Sequence, residues 1–124
     1  MAKFFYDSYA VLAYLDGNRR YRNYFEREAG SLTILSLMEV YYAVLREYGE
    51  AEAEKAYSAA GKYLVEFDDE DVKEAMRRRL QLRRKKLNLS YADALGYTVA
   101  VRLGRRFLTG DEEFEILDNV EYVK

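Results

Sequence analysis

The chain has 124 residues, a length that one domain accounts for, and carries 20 basic against 22 acidic side chains for a net charge of -2. With no histidine and no cysteine, imidazole bases, serine-histidine hydrolysis, thiolate chemistry, disulfides and His- or Cys-ligated zinc are excluded. The charge balance lacks the strongly basic signature of a dedicated nucleic-acid binder. No apolar run approaches the roughly 20 residues that span a bilayer, and the start MAKFFYDS lacks a signal-peptide core, so a cytoplasmic location is expected.

In chain order, residues 3–6 (KFFY) read as a short strand that stops at Asp7-Ser8, where a buried helix over Tyr9 to Leu15 begins. Gly17-Asn18 breaks the pattern, and a second helix is expected from Arg19 to Ala29, closed by Gly30. The β-rich run 32–35 (LTIL) leads to Ser36. From there Leu37, Val40, Tyr41, Val44, Leu45 and Tyr48 recur at helical spacing to about Gly49, and a fourth helix follows from Glu50 to about Ala60. Tyr63 to Phe67 reads as a third strand, and the acidic stretch 68–71 opens a long helix from Asp69 to Lys86 whose RRKK end suits the helix dipole. Ser90 starts a helix to Leu103, stopped by Gly104; residues 107–109 form a fourth strand and 120–123 a fifth at the edge.

Strands alternating with helices predict a single domain over 1–124 with an α/β architecture, a three-layer α/β/α sandwich around a parallel sheet of four to five strands. In open parallel sheets ligands bind beyond the carboxyl ends of the strands, where the strand order reverses. Asp7 and Asp111 fall just past strand ends, and Glu39 and Asp93 are expected in the first turns of helices beside strands. Each acid also has a structural reading, because Asp7 and Asp111 are placed to cap short helices and both Ser36-to-Glu39 and Ser90-to-Asp93 match a capping box. Their joint placement at one sheet edge favours a divalent-cation site, since clustered buried carboxylates repel unless a cation compensates. Hard oxygen donors select Mg²⁺ or Mn²⁺, which suit phosphodiester hydrolysis.

The segments FYDSYAVLAYL, SLMEV, SYADALGYTVAVRLG and RFLTGDEEF resemble, in order and spacing, the four acidic motifs of PIN-domain ribonucleases, and most nearly those of the toxin half of VapBC toxin-antitoxin pairs. The resemblance covers nearly the whole chain. It implies a sheet of order 3-2-1-4-5, an Mg²⁺- or Mn²⁺-dependent endoribonuclease acting on RNA, a homodimer, and inhibition by a cognate antitoxin protein. By motif position, Asp7, Glu39, Asp93 and Asp111 take the catalytic and metal-site roles, with Ser8 and Thr109 supporting them. Two positions depart from the family pattern: Gly110 stands where Arg or Asn is frequent, and Glu113 where some members have Asp. Glu113 reads as a surface acid, with an accessory metal ligand as the alternative.

The cations Arg77, Arg78, Arg79, Arg83, Arg84, Lys85 and Lys86 read either as an RNA-backbone track or as dipole partners paired with Glu70, Asp71 and Glu74. Thirteen tyrosines and six phenylalanines supply core packing and candidate docking surfaces for a partner helix. A non-catalytic PIN-like module that binds RNA or protein is the competing functional reading. A phosphotransfer domain using Asp7 as nucleophile ranks lower, because no Gly-rich phosphate loop is present.

Overall fold

The computed structural model describes residues 2–124. Its elements are β1 (Phe4–Tyr6), α1 (Ser8–Leu15), a 3₁₀ turn (Arg19–Tyr21) running into α2 (Arg22–Glu26), β2 (Gly30–Ser31), α3 (Ile34–Tyr48), α4 (Glu50–Gly61), α5 (Asp69–Arg84), α6 (Tyr91–Leu103), β3 (Arg106–Thr109), a second 3₁₀ turn (Glu112–Phe114) and β4 (Val120–Tyr122). The four strands pair in parallel in the order β2-β1-β3-β4. A single parallel bridge between Leu32 and Leu64 extends the β2 edge, so the predicted 3-2-1-4-5 arrangement is present with its third strand reduced to one residue.

Parallel sheets need both faces covered, and the alternation along β1 and β3 does this. Phe5 pairs in register with Phe107, and Tyr6 with Leu108. Phe5, Phe107 and Val120 pack with Ala75 of α5 and Ala94, Leu95 and Val99 of α6. Tyr6 and Leu108 face the opposite way, into a core built with Val11 of α1, Leu37, Val40 and Val44 of α3, and Ala53 and Ala56 of α4. The three layers follow from a side-chain period of two in strands only three or four residues long.

Local chemistry sets the helix boundaries. Asp68 and Asp71 close a capping box at the start of α5, and Asp71 also receives the Arg102 guanidinium at 2.6 Å, tying α5 to α6. Burial alone would raise the Asp71 carboxyl, but the bonds from Arg102 and the Asp68 backbone outweigh it and hold it below its ordinary range. α6 ends at Gly104, whose φ of 67° is the left-handed conformation of a helix C-terminus. No helix among the described residues is long and apolar enough to cross a membrane.

Several predicted elements are corrected. The β-rich run 32–35 is not a strand: Thr33 caps α3, its hydroxyl accepting the Ser36 N–H at 3.4 Å, and the strand lies two residues earlier. Ser36 is consequently inside the helix, the Ser36-to-Glu39 box does not form, and Glu39 sits in the second turn. Because the chain turns into that cap directly after Leu32, only Leu32 is left to pair with the 63–67 segment. Its N–H reaches the Tyr63 carbonyl at 3.0 Å and its carbonyl accepts from Val65 at 2.9 Å. The expected Arg19-to-Ala29 helix is a 3₁₀ turn and a short α2 ending at Glu26, where the N–H groups of Arg27 and Glu28 both fold back onto the Asn23 carbonyl. Gly30 is a strand residue, not a helix stop.

Gly30 also sets the packing under β1. A Cβ built there would fall within the ring of Tyr6, which is fully buried and stacks on Phe25 with centroids 4.0 Å apart. Gly30→Ala should therefore destabilise the fold by about 1–3 kcal/mol through overpacking, read as a lower urea midpoint with an unchanged m-value. An unchanged midpoint would show that the Tyr6 ring moves freely.

Candidate active site

Chain direction across the sheet runs from β1 outward to β2 on one side and from β3 outward to β4 on the other, so the strand order reverses between β1 and β3. Asp7 immediately follows β1 and Asp111 lies two residues past β3, which puts them on either side of that crevice. The Asp7 N–H donates to the Leu108 carbonyl at 3.1 Å, continuing the ladder to the rim.

Asp7 is 5% exposed. Its Oδ1 accepts the N–H of Ser8 at 2.9 Å, and its Oδ2 accepts the Thr109 hydroxyl at 2.7 Å. The same Thr109 oxygen accepts the Asp111 N–H at 3.0 Å. One hydroxyl thus joins the two strand ends and fixes Asp7 and Asp111 relative to each other. Asp111 in turn accepts the Glu113 N–H at 3.0 Å and caps the second 3₁₀ turn.

The other two acids come from helices. Ser90 and Asp93 form the expected capping box at the start of α6, the Asp93 N–H donating to Ser90 Oγ at 3.0 Å. Glu39 reaches the same neighbourhood from the second turn of α3, with Ser8 close enough to oppose the rise of its pKa. Burial and the charge of Asp93 outweigh that opposition and leave Glu39 raised. Asp93 is raised by burial, against its two Ser90 bonds, and is further repelled by Asp111 and Glu113. Asp7 is pushed up to about 7 by burial and by Asp93 and Glu39, despite the Thr109 and Ser8 bonds that oppose the rise.

The structure therefore brings Asp7, Glu39, Asp93 and Asp111 into one field, with Glu113 at its rim. None of these five acids takes part in an ion pair among the described residues. Their side chains do not stand as a closed cage: among the described residues, no group of three or more acids lies in an arrangement that could hold a metal ion. The donor set is all carboxylate oxygen, and among the described residues no lysine or arginine pairs with it, which fits a hard divalent cation shared with phosphate and water.

Spacing did not reveal the walls of the site. Tyr21, expected in a helix, is fully buried and donates to the Val123 carbonyl; its phenol is raised first by burial, then by Tyr9 and Asp7 nearby. Gly110, the departure between Thr109 and Asp111, is explained by contact: a Cβ there would meet the Tyr9 ring and the Val123 carbonyl.

The sign of the Asp7 shift gives a stability prediction for protein without metal. Its folded pKa lies above the unfolded value, so its contribution is fully present below about pH 4 and is lost as pH rises toward 7. A rise from 3.8 to about 7 corresponds to at most about 4 kcal/mol. In EDTA, Asp7→Asn should match wild type in melting temperature near pH 4 and exceed it at pH 8. A variant less stable than wild type at pH 8 would mean that Asp7 is a structural cap whose charge the fold requires.

Residues 4–120 match the PIN domain family. No curated protein matches the chain in sequence. Among solved structures, the chain is similar to DNA-bound VapBC from Salmonella typhimurium, with a TM-score of 0.79 and 18% identity over 99% of this chain and 98% of that one. It is also similar to VapC20 from Mycobacterium tuberculosis, a Sarcin-Ricin loop cleaving toxin, at TM-score 0.77 and 17% identity over 98% and 99%. VapBC2 from Rickettsia felis bound to a promoter DNA fragment aligns at TM-score 0.76 and 15% identity over 97% and 96%. At such identities the structural likeness establishes the fold, and with a family match spanning nearly its whole length, the chain belongs to the PIN domain family.

Proposed function

We propose that the chain is a metal-dependent endoribonuclease of the toxin type, hydrolysing RNA phosphodiester bonds. The observation that carries this reading is the buried Asp7, pushed up to about 7 by burial, Asp93 and Glu39, at the point where the sheet order reverses. Asp7, Glu39, Asp93 and Asp111 would hold Mg²⁺ or Mn²⁺. When bound, such an ion supplies positive charge to the scissile phosphate and favours deprotonation of the attacking water.

The chain's own residues prepare that site. Thr109 holds Asp7 through Oδ2 and Asp111 through its N–H, so two donors are positioned by one buried hydroxyl. The Ser90 box holds Asp93 at the mouth of α6. The charges of Asp93 and Glu39 raise Asp7 and that of Asp111 raises Asp93, so a divalent cation held among these acids would relieve their repulsion.

Two protein partners belong to the same proposal. A groove of about 860 Å³ between α1, α3 and α4, floored by Leu12, Leu15, Val44 and Ala56 and edged by Arg46 and Glu47, suits an amphipathic helix of an antitoxin. Ile34, Met38 and Tyr42 are exposed on one stripe of α3, which suits a homodimer. Suppression of cleavage by a coexpressed antitoxin tests the groove, and light scattering that finds only monomer would remove the dimer.

The open arrangement of the carboxylates favours one competing reading, a PIN-like module that binds without turnover. Cleavage of a labelled single-stranded RNA panel in Mn²⁺, Mg²⁺ or EDTA separates the two. The nuclease requires product that depends on metal and is lost, by at least about a hundredfold, in a folded Asp93→Asn variant. RNA bound equally by wild type and Asp93→Asn, with no product from either, would establish the module instead.

A further inference from the structure

Among the described residues, Arg77 is the one α5 cation spent on acids of its own helix. Arg77 is paired with Glu70 at 2.7 Å and Glu74 at 3.0 Å, Asp71 is taken by Arg102, and Arg78 bonds Thr98 at 2.8 Å and lies over the Tyr97 ring. Arg79 turns the other way. Its Nε donates to the Leu89 carbonyl at 2.8 Å, and its guanidinium lies 4.5 Å from the ring centroid of Tyr91. Arg83, Arg84, Lys85 and Lys86 are exposed and enter no ion pair among the described residues.

Tyr91 is the first residue of α6 and stands two residues before Asp93. It is 66% exposed, although a guanidinium covers part of its ring. A large aromatic held flat by a cation and left open to solvent contributes little to folding, since burial is what makes an aromatic stabilising. The Arg79–Leu89 bond fixes the loop that carries it, so the ring is pre-oriented rather than loose. Arg83, one helical turn beyond Arg79, and Lys86, just past the helix end, continue the positive charge along α5.

We propose that Tyr91, backed by Arg79, is a stacking platform for a base next to the scissile phosphate of single-stranded RNA, with Arg83 and Lys86 receiving the adjoining backbone phosphates. The assignment rests on the endoribonuclease reading above. It supplies what the acidic centre lacks: a neutral face for a base and positive charge for the phosphates that the carboxylates would repel. Such a platform would select unpaired strands, because a duplex offers no free base face. Tyr91 is a positioning residue in this account and takes no part in the chemistry.

Binding and turnover are read separately to test it. In the Asp93→Asn background, fluorescence anisotropy of labelled single-stranded RNA should show Tyr91→Ala weakening affinity about tenfold, the loss that removal of one base stack produces, while Tyr91→Phe retains it. An abasic nucleotide beside the cleavage position should weaken the Tyr91 protein equally and add nothing to Tyr91→Ala. Arg83→Gln and Lys86→Gln should each lower the slope of log affinity against log salt by about 0.7. With Asp93 restored, Tyr91→Ala should raise KM and spare kcat. Unchanged affinity in folded Tyr91→Ala, or additive losses with the abasic strand, overturns the platform even if wild type cleaves RNA. Binding that depends on Tyr91 without metal-dependent product keeps the platform and removes the nuclease. If Tyr91→Ala weakens only the inhibiting protein partner, the shelf belongs to that partner and the RNA assignment fails.

Discussion

The hydrogen bond from the Thr109 hydroxyl to Oδ2 of Asp7 is 2.7 Å long and buried, and it spans the ends of two neighbouring parallel strands. It exists because β1 and β3 run in register with Tyr6 opposite Leu108, so that Asp7, just past β1, emerges beside Thr109, the last residue of β3. Once Asp7 is fixed there its charge cannot be solvated, and nothing cationic among the described residues is paired with it. The position of every other functional group follows from how the chain brings further acids to that rim. α3 delivers Glu39, α6 delivers Asp93 and the turn after β3 delivers Asp111.

Small residues let these elements approach. Gly30 admits the Tyr6 ring beneath β2, and Gly110 admits Tyr9 and the Val123 carbonyl between Thr109 and Asp111. Gly96 of α6 leaves room for the Phe5 ring, 3.1 Å from where a Cβ would lie. The strands are too short to bury much by themselves, so aromatic rings supply the mass of both cores: Tyr6 and Phe25 on one face, Phe5, Phe107 and Phe114 on the other. Many of the aromatics are thus structural, whereas Tyr42, Tyr48 and Tyr91 are exposed, and of these three Tyr91 opens the helix that carries Asp93.

Much of the architecture was legible in the sequence because helix starts carry side-chain chemistry. The Ser90 cap, the Gly104 stop and the acid-to-base gradient of α5 were each readable from a few residues. The errors fell where two local signals competed. Leu32, Thr33 and Ile34 are β-prone by composition, yet the Thr33 hydroxyl does more as a helix cap, and the strand withdrew to Gly30 and Ser31. The 63–67 strand was curtailed by that same cap, a consequence no reading of residues 63–67 alone could supply. At the site, the four acids were legible as residues past apolar runs. Their coupling through Thr109 and the role of Tyr21 in the wall depend on contacts more than 100 positions apart in the sequence, which spacing does not encode. The basic end of α5 was legible as charge, but its direction depended on Arg79 finding the Leu89 carbonyl.

The central claim is that Asp7 and its neighbours form an uncompensated carboxylate cluster that a divalent cation completes. Isothermal titration calorimetry of Mn²⁺ into the purified chain at pH 8, beside folded Asp7→Asn and Asp111→Asn variants, tests it without reference to any substrate. The account predicts saturable binding to wild type that both variants lose or weaken by at least about tenfold, about 1.4 kcal/mol. Heats indistinguishable from dilution in wild type, or equal binding by Asp7→Asn, would contradict it.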